Sequence, residues 1–319
     1  MSPEQMLKSF PDQLEWEKND TDLSTYRTIT FCGMGGSGIV ADIAKSWMEH
    51  RGCKIPMIVH KGYGLPNVVD GEEHLVVCIS YSGNTEETLS AFSEALRRQA
   101  TVVCISSGGK LGELAGSNGV LNLEVPQGFV PRFALGFMLS KLLCLLGIDR
   151  EELEDARENL KSLYENIKNK GEEIAQKLYS YIPVIYSTPL TEAIAYRWKS
   201  QLNENAKTPA YTATLPEMHH NEVVSWENAE LRNKLAFLVI FDPKDNDRVR
   251  ARVDITIKLL KDLGAVPVVL GGDGNSYLSR ILHLIHVGDW VSYYLAGKYG
   301  FQPLPTETID RIKREISKL

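Results

Sequence analysis

Leu75-Val76-Val77-Cys78-Ile79-Ser80-Tyr81-Ser82-Gly83-Asn84-Thr85-Glu86-Glu87-Thr88 joins a run of apolar β-type residues to a helical stripe at Leu89, Phe92 and Leu96. The order is strand, hydroxyl-rich turn, helix. A parallel strand that empties into a helix N-terminus leaves backbone N–H groups without intrahelical partners, and Ser80, Ser82 and Thr85 add hydroxyls around them. Such a turn suits a phosphate monoester. Helix capping alone needs one hydroxyl, and this turn offers several.

The same alternation extends in both directions. Apolar β-type runs at 29–32, 55–60, 101–106 and 120–125 are separated by helical patterns such as Ile39, Ile43 and Trp47. This predicts an α/β fold, a parallel sheet flanked by helices in three layers. Segment 150–177 is dense in Glu, Lys, Asn and Arg, with Leu153, Ala156, Leu160, Leu163 and Ile167 spaced as on one helix face, and reads as a connector. A second cycle follows, with strands at 183–186, 235–241 and 265–270 and a helix over 248–263. Two α/β domains are expected, 1–150 and 151–319. A closing helix over 305–318 places Ile309, Ile312 and Ile316 on a common face.

Composition narrows the function classes. The 319 residues carry a net charge of -6, with acidic residues spread along the chain, which argues against nucleic acid as the principal partner. The five cysteines are an odd number without a CxxC pair and read as reduced core residues of a cytoplasmic protein. Segment 1–20 carries Glu4, Asp12, Glu15 and Glu17 and lacks the apolar run of a signal peptide. Segment 133–148 is interrupted by Lys141 and is shorter than the roughly 20 residues a spanning helix needs, so it reads as a buried core helix and no membrane partner is expected.

Gly33-Met34-Gly35-Gly36-Ser37-Gly38 follows the first strand and satisfies G-x-G-x-x-G. A dinucleotide site also needs an acidic residue at the end of the second strand, and here that strand ends in His60-Lys61. The glycines instead let the backbone approach an anion closely, with Ser37 at the helix start. Successive parallel strands place this loop and the 80–85 turn on one rim, where both can face one ligand.

In the second half, Leu190, Ile194, Trp198 and Leu202 make a helical stripe that must end before Pro209. Glu204 lies off that stripe, and the spacing predicts that it shares a solvated face with Arg197 and Ser200. Downstream, Leu215-Pro216-Glu217-Met218-His219-His220-Asn221-Glu222 gathers two of the seven histidines in a loop-like segment. It lacks the metalloprotease His spacing and any nearby cysteine, so no metal is assigned. A carboxylate can move a carbon-bound proton and an imidazole an oxygen-bound one, which is the acid–base pair that sugar or keto-acid chemistry requires.

Taken in order, Gly-Met-Gly-Gly-Ser-Gly at 33–38, Ser-Tyr-Ser-Gly-Asn-Thr at 80–85, Pro131-Arg132, Asn203-Glu204-Asn205-Ala206-Lys207, Leu215-Pro216-Glu217-Met218-His219-His220-Asn221 and Gln302-Pro303-Leu304-Pro305-Thr306, with Lys313, resemble the bifunctional phosphoglucose/phosphomannose isomerases, short members of the phosphoglucose isomerase superfamily. The resemblance implies two sugar isomerase (SIS) domains and a phosphate pocket from Gly35, Gly36, Ser37, Ser80, Ser82 and Thr85. It implies Glu204 as the base between C1 and C2 of glucose 6-phosphate, mannose 6-phosphate and fructose 6-phosphate. It further implies His220, rather than its neighbour His219, in ring opening, Arg132 facing the enediolate, and Lys313 near the ring oxygen. Thr306, with Thr308 close by, matches the threonine associated with acceptance of both epimers. No cofactor or metal is implied. The imidazole is expected from the adjacent subunit of a homodimer, which puts the active site at the interface. Phe133 and Gly136 depart from the commonest pattern beside Arg132. Two alternatives stand beside this reading: a non-catalytic sugar-phosphate-binding SIS regulator, and an amino-sugar phosphate isomerase or deaminase.

Overall fold

Apolar runs without polar alternation mark parallel strands covered on both faces. The computed structural model describes every residue except Ser317 and Leu319. The chain divides into two compact units, Met1–Tyr164 with Gly272–His283, and Glu165–Gly271 with Leu284–Leu319.

In the first unit a short helix α1 (Pro3–Lys8) precedes β1 (Thr28–Cys32), α2 (Gly35–His50), β2 (Met57–His60), β3 (His74–Ser80), α3 (Glu86–Arg97), β4 (Thr101–Ser106), α4 (Gly109–Ser117) and β5 (Leu121–Glu124). Helices α5 (Leu135–Leu145) and α6 (Arg150–Ser162) complete it. The five strands are all parallel, in the order β2-β1-β3-β4-β5. Every residue of β1 and β3 is buried, including the polar Thr28, Thr30, His74 and Ser80 among their apolar side chains. Cys32, Cys78 and Cys104 stand in register on three adjacent strands inside this core. β2 starts two residues later than the pattern at 55–60 suggests, because Pro56 has no N–H to give to a ladder. Segment 133–148 holds the buried helix α5, and among the described residues no helix is long and apolar enough to cross a membrane.

Strand order fixes where a ligand can sit. The direction of winding reverses between β1 and β3, so the loops leaving their C-terminal ends diverge and open a crevice. Those are the two loops singled out in the sequence.

The connector is two helices, α6 and α7 (Tyr164–Leu178), which meet at Leu163, the C-cap residue of α6. The second unit continues through β6 (Ile182–Ser187), α8 (Glu192–Ala206), β7 (Tyr211–Thr214), α9 (Ala229–Arg232), β8 (Leu235–Phe241), α10 (Asp247–Asp262) and β9 (Val268–Gly271). α11 (Tyr277–Lys298) and α12 (Glu307–Ile316) follow. Its four strands are parallel in the order β7-β6-β8-β9. β7 escapes the sequence pattern: it is a short edge strand between Pro209 and Pro216 with no buried residue. Leu190, assigned by spacing to the helical stripe, belongs instead to the 3-10 turn Pro189–Thr191 that precedes α8. The closing helix begins at Glu307, two residues past Pro305, and the Ser317 portion of the expected span lies outside the described residues.

Candidate active site

Glycine supplies the geometry of the first loop. Gly35 has φ +50°, and a Cβ on Gly38 would lie 2.6 Å from the Gly33 carbonyl oxygen. A Cβ on Gly36 would stand 3.2 Å from the backbone of Pro131 and Arg132, so this glycine lets the arginine's turn pack against the start of α2. Ser37 is buried, and its Oγ accepts the Tyr81 N–H at 3.1 Å, linking the first loop to the second.

The hydroxyls of the second loop do not cap α3. Thr85 is the N-cap residue, yet its side chain accepts no first-turn N–H; it accepts from Ser80 Oγ at 3.0 Å. Ser82 Oγ accepts the Asn84 N–H at 3.2 Å. The starts of α2 and α3, neither capped by a side chain, thus present their positive dipole ends at one rim, as an anion site requires.

Arg132 lies in the 3-10 turn Pro131–Phe133 and is buried, with its guanidinium over the Phe133 ring at 5.5 Å. The departures at Phe133 and Gly136 have a physical account. Phe133 is the platform under the guanidinium, while Gly136 makes room for Gln13, whose Cβ would be 2.7 Å from a Cβ at 136. The buried Gln13 amide donates to the Phe133 carbonyl at 2.8 Å and accepts the Gly136 N–H at 3.0 Å.

In the second unit, α8 is fixed by its polar side chains. Arg197 Nη2 donates to both Asp289 oxygens at 2.9 Å, Gln201 donates to Asp289 at 2.8 Å, and Asn205 donates to Ser292 Oγ at 2.9 Å. Trp198 Nε1 donates to the Leu284 carbonyl at 2.8 Å. This corrects the expectation that Arg197 lies on a solvated face with Glu204: residues 197, 201 and 205, spaced by four, form a row buried against α11. Burial pushes the Asp289 carboxyl above its ordinary range, while Arg197 and Gln201 pull it back.

Glu204, one position off that row, is half-buried and lines a cavity of about 900 Å³ together with Thr306, Thr308, Lys207, Gln302 and Tyr211. Lys207, with φ +53° at the end of α8, donates from its ammonium to the Pro305 carbonyl at 2.7 Å and so ties the 305–306 segment to the helix of Glu204. Lys313 stands exposed on α12 and does not line this cavity; nor does His220.

The neighbouring histidines differ sharply. Arg252 donates to His219 Nδ1 at 3.0 Å, which leaves the ring proton on Nε2 to donate to Thr256 Oγ1 at 2.8 Å. Burial, reinforced by the Arg252 charge, lowers the His219 pKa and keeps the ring neutral. His219 is therefore held as a packing residue, while His220 is exposed. Buried Met218 and Trp226, the latter donating to the Tyr186 hydroxyl at 2.8 Å, anchor the segment on either side.

The second sheet has its own reversal between β6 and β8, but the loop after β8 turns carboxylates inward. Asp242 accepts the Lys244 N–H at 2.7 Å and Asp245 the Asp242 N–H at 3.3 Å. A rim occupied by carboxylates is hostile to a phosphate, which leaves the uncapped helix starts of the first sheet as the better match to an anion.

Two parallel three-layer sheets, one with an anion-ready rim, define a SIS-domain protein. The SIS domain model matches residues 22–117, and the model of the bacterial phospho-glucose isomerase C-terminal SIS domain matches residues 167–316. A bifunctional phosphoglucose/phosphomannose isomerase from Aquifex aeolicus is 57% identical over 98% of both chains, and one from Caldicellulosiruptor bescii is 37% identical over 91% of this chain and 90% of the other. The chain belongs to the bifunctional phosphoglucose/phosphomannose isomerase family. Among solved structures, a hypothetical protein from Thermus thermophilus superposes with a TM-score of 0.76 at 15% identity, covering 99% of this chain and 88% of its own, a likeness of fold.

Proposed function

We propose that the protein interconverts glucose 6-phosphate and mannose 6-phosphate with fructose 6-phosphate through a cis-enediolate. The observation that carries this reading is membership, over nearly the whole chain, in a family whose members bear that name. The chemistry needs an open chain, removal of a weakly acidic C–H proton, and stabilisation of negative charge on the enediolate oxygens. The rim of Gly35, Gly36, Ser37, Ser80, Ser82 and Thr85 anchors the 6-phosphate. Glu204 moves the proton between C2 and C1, Arg132 faces the enediolate, and His220 opens the ring with Lys313 near the ring oxygen. The two aldoses differ only at C2 and share one enediol, so a single base serves both, with Thr306 tolerating either configuration.

A coupled assay on both aldose phosphates tests the reading. Formation of fructose 6-phosphate from each is expected, and Thr306→Val should shift the ratio of the two kcat/KM values. Turnover of neither substrate would overturn the function.

The active site is completed in a homodimer by His220 of the partner subunit. Two features support this: His220 is exposed, and every described residue of α12 is exposed although Ile309, Ile312 and Ile316 form an apolar stripe that a second copy would cover. Mixing inactive Glu204→Gln and His220→Ala homodimers should restore activity, since each mixed dimer carries one intact site. With random exchange, about a quarter of wild-type activity is expected. Continued inactivity after demonstrated subunit exchange would exclude the shared site.

A further inference from the structure

Tyr81 sits inside the hydroxyl-rich turn yet lends no hydroxyl to it. Its phenol is turned inward, donating to the Pro126 carbonyl at 2.8 Å and accepting the Phe129 N–H at 3.0 Å. Burial raises its pKa, so the phenol keeps the proton that it donates. The backbone of the same residue donates to Ser37 Oγ at 3.1 Å, and its carbonyl accepts the Ser107 N–H at 2.9 Å. One residue thus joins the glycine loop, the phosphate turn and the 126–129 segment, which runs directly into Pro131-Arg132. On the far side of Arg132 the Gln13 amide closes the turn onto the start of α5. Between these two attachments the chain presses against Gly36.

We propose that Tyr81 and Gln13 are positioning residues that clamp the Arg132 turn from both sides and hold the guanidinium in register with the phosphate rim. This rests on the role given to Arg132 above. An isomerase that grips its substrate by the phosphate places the reacting carbons at a fixed distance, so the charge that meets the enediolate must be fixed relative to the same rim. A pair of hydrogen bonds on each side of the turn provides that fixity without touching substrate.

A double-mutant cycle separates this role from a general structural one. Wild type, Tyr81→Phe, Arg132→Ala and the double variant are titrated calorimetrically with 5-phosphoarabinonate, which carries a carboxylate where the enediolate charge develops, and with sorbitol 6-phosphate, which carries none. Tyr81→Phe should weaken 5-phosphoarabinonate about tenfold, as loss of two hydrogen bonds permits. It should leave sorbitol 6-phosphate unchanged and add nothing once Arg132 is absent. Gln13→Met should reproduce the pattern. The clamp is overturned if Tyr81→Phe and Gln13→Met are silent, weaken both ligands alike, or act equally without Arg132. If Arg132→Ala itself leaves 5-phosphoarabinonate binding unchanged, the arginine's role falls and the clamp with it; an effective Arg132→Ala beside silent clamp variants removes the clamp alone.

Discussion

Glu204→Gln is expected to lower turnover of both aldose phosphates by about 10³-fold, the scale of a lost general base, while sugar-phosphate affinity stays close to wild type. Glutamine matches glutamate in size and can remain in the cavity with Thr306 and Lys207. The helix beneath it should not move, because its register is set by Arg197, Gln201 and Asn205 on the adjacent buried row. What disappears is a group able to take a proton from carbon. Exchange of the substrate's C2 hydrogen with deuterated water reports that step directly, and it should fall with turnover. A variant within tenfold of wild type, or one whose loss is accounted for by weaker binding, would take the base role away from Glu204.

The largest stability effect is expected at Asp289. Asp289→Ala removes the carboxylate from the buried Arg197 guanidinium and the Gln201 amide, and breaking a buried pair by removing one partner costs about 3–5 kcal/mol. Urea unfolding should show this as a lowered midpoint at constant slope. The pair itself is expensively desolvated, so replacing both members together, Arg197→Met with Asp289→Leu, should recover most of the loss. A cost below about 1 kcal/mol for Asp289→Ala would mean that water or a shifted partner compensates the guanidinium.

The fold was legible wherever one strand or helix carried its own signal. Strands β3 and β8 carry apolar runs and β1 a shorter one with Thr30 inside it, and the two rim loops could be located because parallel strands deliver their ends to one side. Weak or short signals failed: β7 is a four-residue edge strand, and nothing local marks Leu163 as the break between α6 and α7. At the site, residue types were readable but their partners were not. Spacing put Arg197 beside Glu204, since periodicity assigns faces without saying which face meets another element; the deciding residue, Asp289, is 92 positions away. Gln13 carries no sequence signal, and only the missing side chain at Gly136 hints at it. His219 and His220 are indistinguishable as letters and become distinct once α10 brings Arg252 and Thr256 to the first of them.

The bond from Lys207 to the Pro305 carbonyl has a bearing on inheritance. On the roles proposed for Thr306 and Glu204, substrate breadth and proton transfer ride on one mechanical piece. A lineage that narrows its diet by altering the 305–306 segment pulls on the end of the helix that carries its base. Breadth and speed are then selected together, so a specialist descending from this generalist has to rebuild the Lys207 contact before it can gain selectivity without surrendering rate.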